Sequence, residues 1–178
     1  MLTHLNARQE KAKLAEPMKT GIVSPHVAAA MSGLDFLVAL RDGALIAPPF
    51  SHATGIRPKD IEVGRIVFEG TPTEQFYNPM GTVHGGWIAT LLDTAMACAI
   101  QSTLPAGQSY TTLELKTNFV RPVFVSTGVL RCEGIVLSRG GRIASSEGKV
   151  FDKEGNLVAH GTETCLVMGQ RNGASAKA

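Results

Sequence analysis

A chain of 178 residues that is 44% hydrophobic and 18% charged carries enough apolar mass for one domain with a real core. A net charge of +2 leaves no basic or acidic surplus to recruit nucleic acid or a membrane surface. Cys98, Cys132 and Cys165 are far apart and odd in number, so they support neither a zinc site nor a disulfide framework and read as buried free thiols in a reducing cytoplasm.

The first twenty residues mix charges of both signs and lack an apolar block, which excludes a signal peptide or membrane anchor and predicts a loosely docked helical tail. Ser32 is placed to cap a short helix from Gly33 to about Arg41, with Gly43 as its stop. Leu34, Phe36, Leu37, Val38 and Leu40 suggest that this helix packs on the body. Pro48-Pro49 closes the prelude. The expected division is an N-terminal extension at 1–47, a main domain at 48–168 and a disordered tail at 169–178.

A strand is predicted from about Val63 to Thr71, with Ile66 and Phe68 on one face. A turn at Asn78-Pro79 and Gly81 then leads into His84-Gly85-Gly86. From Trp87 to Leu104 there is no Pro or Gly, and Ile88, Leu91, Leu92, Ala95, Met96 and Ala99 follow the period of one helix face. This is the most apolar helix in the chain and is taken as the core helix. Asp93 interrupts it. Its neighbours at helical spacing are Ala89, Thr90, Met96 and Ala97, so no cation on the same helix pairs with it. A carboxylate so placed costs stability unless something outside the helix uses it; otherwise it sits at a wet helix edge or bonds a distant backbone group.

After the helix, Tyr110 to Val120 alternates, with Leu113, Leu115 and Phe119 on one side and Thr112, Glu114, Lys116 and Asn118 on the other. Strands follow at Val125 to Leu137, Arg142 to Asp152 and Leu157 to Met168, with hairpin turns at Gly140-Gly141 and Lys153 to Asn156. One strand, one long helix and then four strands in hairpin sequence exclude a βαβ array. They predict an α+β layer, an antiparallel sheet packed on one helix.

Asn78, Gly81, His84-Gly85-Gly86 and Asp93, with Asn118-Phe119 and Arg121-Pro122 beyond, keep the spacing N-x-x-G-x-x-H-G-G-x-x-x-x-x-x-D without a gap. In these positions the chain, from roughly Ile61 to Met168, resembles the hot-dog fold acyl-CoA thioesterases of the phenylacetate-pathway (PaaI-like) type. The resemblance implies a curved antiparallel sheet wrapped around one long central helix, and a dimer whose sheets join edge to edge, with a dimer of dimers as the larger assembly. The implied function is hydrolysis of an acyl-CoA to free acid and CoA in the cytoplasm. It involves no metal, no cofactor beyond the coenzyme A of the substrate, no nucleic acid and no membrane. The first sixty residues fall outside the pattern.

The motif makes chemical sense. Thioester hydrolysis needs donors aimed at the carbonyl oxygen and a carboxylate that attacks or activates water. Gly85 and Gly86 stand at a helix start, where backbone N–H groups are unpaired and the helix dipole is positive, although they could merely permit a tight turn. Asp93 is the candidate nucleophile or general base. Asn78 is a candidate donor to the water or carbonyl, and His84 is either a base or a shaper of the loop. By the resemblance, Thr112 supplies a hydroxyl that orients the nucleophile, yet counting forward from Asp93 gives Thr111. Arg121, Arg139 and Arg142 are candidates for the CoA phosphates or are solvated hairpin arginines. Trp87 and Phe76 suit an aromatic acyl group or ordinary packing.

The same fold hosts non-catalytic acyl-CoA sensors and dehydratases or hydratases. The N-terminal segment offers no convincing helix-turn-helix or basic face, which argues against a regulator. The dehydratases and hydratases use a His with an acidic residue on a different spacing.

Overall fold

The computed structural model describes residues 20–169. The expectations for the first nineteen residues and for the tail beyond 169 lie outside them. Three short helices open the described chain: α1 (Pro25–Ala30), α2 (Gly33–Arg41) and α3 (Pro49–Thr54). Strands β1 (Ile56–Glu62) and β2 (Arg65–Gly70) follow, then the long helix α4 (Gly85–Gln101). After it come β3 (Ser109–Phe119), β4 (Leu130–Arg139), β5 (Ile143–Phe151) and β6 (Leu157–Met168).

The α2 boundaries are those its capping residues dictate. Ser32 Oγ accepts from the Asp35 N–H at 3.1 Å, and Gly43 turns the chain away at φ 75°. Leu37 of α2 is buried in the main core, and the Gly33 N–H donates to the Leu104 carbonyl at 2.9 Å. A side chain at Gly33 would strike the Gln101 carbonyl, so the helix docks on the end of α4 through a residue without one.

The six strands form one curved antiparallel sheet in the order β1-β2-β4-β5-β6-β3. Three sequence expectations need correction here. Strand β1 was hidden by Pro58 and by its mixed burial, since it lies on an edge where a proline is tolerated. The four strands after the helix are not all hairpin neighbours either: β3 crosses to the far edge and pairs with β6, and only β4-β5-β6 form hairpins. The segment Val125–Thr127, expected as strand, is a turn of 3₁₀ helix that ends at Gly128.

Helix α4 lies against the sheet on a row of glycines. Gly134 of β4 pairs with Gly148 of β5, which pairs with Gly161 of β6. A Cβ on Gly134 would collide with the α4 backbone at Ala95 and Met96, and one on Gly148 would fall 2.8 Å from Met96 Cγ. The row lets the helix backbone approach the sheet closely, and Leu91, Leu92, Ala95, Met96 and Ala99 are fully buried there.

Strand β3 also departs from simple alternation. A bulge between Thr112 and Glu114 places Tyr110, Thr112, Leu115 and Thr117 on the half-buried face and leaves Leu113 exposed. Leu113, expected on one side with Leu115 and Phe119, is turned to the other at 57% exposure. Phe119 keeps the side of Leu115 and its ring faces Gly85, although it is 53% exposed.

Candidate functional site

The motif residues fall into two groups along α4. At its N-terminus, His84 is the cap: its Nδ1 accepts from the Gly86 N–H at 2.9 Å, and its own N–H donates to the Phe76 carbonyl at 2.7 Å. His84 therefore shapes the loop in this chain, and the Gly86 N–H, one of the two expected donors, is taken up by it. The Gly85 N–H has no acceptor among the described residues and stands at the positive end of the helix dipole. A Cβ there would lie 3.0 Å from the Phe119 ring, so the site also depends on glycine for space.

Asn78 builds the preceding turn. Its Oδ1 accepts from the Met80 and Thr82 N–H groups at 2.9 and 3.3 Å, its Nδ2 donates to Thr82 Oγ1 at 2.8 Å, and Gly81 completes the turn at φ 79°. Asn78, Gly85, Phe119 and Arg121 together line a cleft of about 390 Å³. Asp93 is not part of that cleft.

Two turns further on, Asp93 is half-buried on the flank of α4 and forms no ion pair among the described residues. Burial raises its pKa, while the hydroxyl of Thr112 acts in the opposite direction. Thr112 Oγ1 is 3.4 Å from Asp93 Oδ1, at the long limit for such a bond. Thr111 is exposed on the opposite face of β3. Of the two counts in the sequence, the one taken back from Arg121-Pro122 therefore gives the hydroxyl that reaches Asp93.

A third member of this group escaped the sequence reading. Glu163 of β6 is 1% exposed, and its Oε1 accepts from Thr112 Oγ1 at 2.7 Å and from Cys165 Sγ at 3.1 Å. Burial, with the nearby Asp93 charge adding to it, pushes the Glu163 carboxyl up to about 7 against the bonds from Thr112 and Cys165. The signal was present in the alternation of β6: Ala159, Gly161, Cys165 and Val167 face inward, and Glu163 has the same parity.

The arginines do not act as one group. Arg121 borders the Gly85 cleft, but Arg139 sits in the β4–β5 hairpin, where it donates to Gln108 Oε1 at 2.7 Å and to the Gly140 carbonyl. Arg142 is exposed at the same turn. Gln108 lies in the loop beyond the C-terminal end of α4, so Arg139 stands at the opposite end of the helix from Gly85. Trp87 and Phe76 stack with ring centroids 5.5 Å apart, and Trp87 Nε1 donates to the Thr54 carbonyl. Trp87 is buried in the core cluster, with Phe76 packed against it. A larger cavity, about 610 Å³, opens between α2, the segment 43–51 and the side of α4 carrying Thr94 and Cys98.

A long helix against a curved six-stranded antiparallel sheet defines the hot-dog fold. Comparison with known proteins narrows the class. The thioesterase superfamily model matches residues 80–159. The Saccharolobus solfataricus protein SSO2140, named for an esterase, is 33% identical over 100 residues, 56% of this chain and 69% of that one. The crystal structure of a phenylacetic acid degradation-related protein from Ralstonia eutropha JMP134 superposes with a TM-score of 0.68 at 28% identity, covering 74% of this chain and 98% of that one. The smu.793 protein of Streptococcus mutans UA159, solved bound to acetyl CoA, has a TM-score of 0.59 at 25% identity, over 65% of this chain and 90% of that one. The chain belongs to the thioesterase superfamily, and its reaction class is thioester hydrolysis.

Proposed function

We propose that the protein hydrolyses acyl-CoA thioesters to free acid and CoA, at sites built between two copies of the chain. The observation that carries this reading is Asp93, a half-buried carboxylate on a core helix with no cation partner among the described residues and a hydroxyl beside it. The acetyl CoA bound by the S. mutans neighbour supports a CoA thioester as the substrate class.

The proposed roles are divided as follows. The Gly85 N–H, at the positive end of α4, polarises the thioester carbonyl and stabilises the oxyanion. Asp93 either takes a proton from the attacking water and passes it to the CoA sulfur as the C–S bond breaks, or attacks the carbonyl carbon itself. In the second route it expels the CoA thiolate and holds the acyl group as an anhydride. Water then hydrolyses the anhydride to the free acid, restoring the carboxylate and supplying the proton that the thiolate takes up. Thr112 orients the carboxylate, and Arg121, at the mouth of the Gly85 cleft, faces the phosphates. This chemistry requires only a carboxylate, a backbone donor and water.

Gly85 and Asp93 are eight residues apart on one helix, roughly 12 Å along its axis at about 1.5 Å per residue. A reacting carbonyl and its water span only a few ångströms, so the two groups of one chain cannot serve one substrate. Gly85 of one protomer therefore works with Asp93 of the other, across a two-fold axis that creates two equal sites. Strand β3 suits this assembly: it is an 11-residue sheet edge with Leu113 and Phe119 exposed, the kind of edge that pairs with another copy.

The test is release of free CoA thiol from a panel of acyl-CoAs of differing chain length and aromaticity. Turnover of at least one of them is expected, whereas binding without thiol release would identify a sensor.

A further inference from the structure

The described reaction uses one carboxylate, yet the site holds two. Glu163 Oε1 lies 2.7 Å from Thr112 Oγ1, and the same Thr112 oxygen lies 3.4 Å from Asp93 Oδ1. The second Glu163 oxygen, Oε2, is buried without a hydrogen-bond partner. Thr112 has a single proton and cannot donate to both carboxylates. An ionised Glu163 is an acceptor only. It takes the Thr112 proton along the shorter contact and leaves lone pairs facing Asp93. A Glu163 protonated on Oε1 reverses the chain: it donates to Thr112 Oγ1, and the hydroxyl is free to donate to Asp93.

We propose that Glu163 is a positioning residue that works in its neutral form, its proton held against Thr112 so that the Thr112 hydroxyl turns onto Asp93. Burial and the Asp93 charge favour this state and outweigh the hydrogen bonds from Thr112 and Cys165, which favour the ionised form, and no facing group adds a positive charge to them. From α4 come Asp93 and the Cys98 thiol, from β3 the Tyr110 phenol, and from its own strand the Cys165 thiol; Ser146, its register partner on β5, is uncharged. None of them is a cation. The partnerless Oε2 points the same way, because a buried carbonyl oxygen without a partner costs far less than a buried carboxylate oxygen without one. With the carboxyl raised to about 7, the arrangement holds below neutral pH and is lost as pH rises through that value.

The kinetic part of this inference rests on the proposed thioester hydrolysis, and the proton arrangement does not. Carboxyl ¹³C NMR titration of the whole protein requires no substrate. The Glu163 signal is expected to titrate near neutrality, and the Asp93 signal to follow it in the wild type but not in Thr112→Val. A Glu163 already ionised at pH 6, or an Asp93 signal indifferent to Thr112, overturns the proposal even if every acyl-CoA is turned over. If no acyl-CoA is turned over, the functional reading fails and the titration still decides this one. With a substrate in hand, wild-type kcat is expected to fall about ten-fold above pH 7, the scale of one lost orienting bond. Glu163→Gln, which can donate an amide N–H to Thr112, should lose that fall. Glu163→Ala should be slow at every pH and rescued by Gln alone. A Glu163→Gln profile that still falls like the wild type refutes the role of the carboxyl proton.

Discussion

Asp93 and its neighbours form the smallest scale at which function is decided. Asp93→Asn keeps the shape of the side chain and removes the base or nucleophile; kcat is expected to drop by roughly two to four powers of ten, with folding intact by circular dichroism. Thr112→Ala should cost on the order of 1–2 kcal/mol in transition-state stabilisation, and Thr111→Ala almost nothing, because only Thr112 reaches Asp93. Steady-state kinetics on the two alanine variants separates them, and a damaging Thr111→Ala would contradict the strand register.

Glu163 adds a prediction about stability. Its folded carboxyl holds a proton up to about pH 7, whereas in the unfolded chain it releases one near 4.5. The folded state therefore binds more protons between these values. The associated stability is fully present below pH 4.5 and is lost as pH rises through 7, a change on the order of 3 kcal/mol. Urea denaturation of wild type and Glu163→Gln at pH 4.5 and 8.5 should show this loss in the wild type, with the Glu163 share of it absent from the variant.

At the scale of elements, the distance between α4 and the sheet is set by Gly134 and Gly148, while Gly161 beside them leaves room for the Lys116 carbonyl of β3. Gly148→Ala places a methyl against Met96 Cγ and Leu92 Cδ2, the flexible ends of two core side chains, and should destabilise by about 1–3 kcal/mol. Gly134→Ala meets helix backbone, which cannot step aside, so its loss should be larger. Thermal unfolding of the two variants gives the order, and equal losses would show that α4 shifts as a body. The same contact positions the site, since tilting α4 moves Asp93 relative to Thr112 and Glu163 on the strands.

At the scale of the whole molecule, the division between the Asn78–Gly85 cleft and the Asp93 cluster predicts complementation. Asp93→Ala protein is unfolded and refolded together with a second inactive variant damaged at Asn78. A statistical mixture is half heterodimer with one working site of two, so up to about a quarter of wild-type activity should return. Zero recovery from verified heterodimers, or a fully active isolated monomer, would show that each chain carries its own complete site. The prediction tests assembly and chemistry together, because the exposed edge of β3 and the helix spacing point to the same pairing.

Much of this was legible along the chain because it is local. The period of Ile88, Leu91, Leu92, Ala95 and Met96 was enough for the core helix, and the partnerless Asp93 was visible against it. Ser32 and Gly43 bounded α2 by capping chemistry alone. The order of strands was not local. β3 pairs with β6 across the two strands of an intervening hairpin, and no short-range pattern records that choice. Leu113 was assigned to the wrong face because a bulge breaks the period of two, and the bulge depends on pairing with β6. Glu163 went unremarked for the same reason. Its charge predicts an exposed side chain, and only the fold, by bringing β6, β3 and α4 together, surrounds it with Thr112, Cys165 and Asp93. The sequence by itself determined which helix is the core and which carboxylate stands out on it, because helical spacing is a property of neighbours in the chain. Tertiary structure decided which hydroxyl meets that carboxylate and which second carboxylate shares it, because those contacts join residues 19 and 51 positions apart.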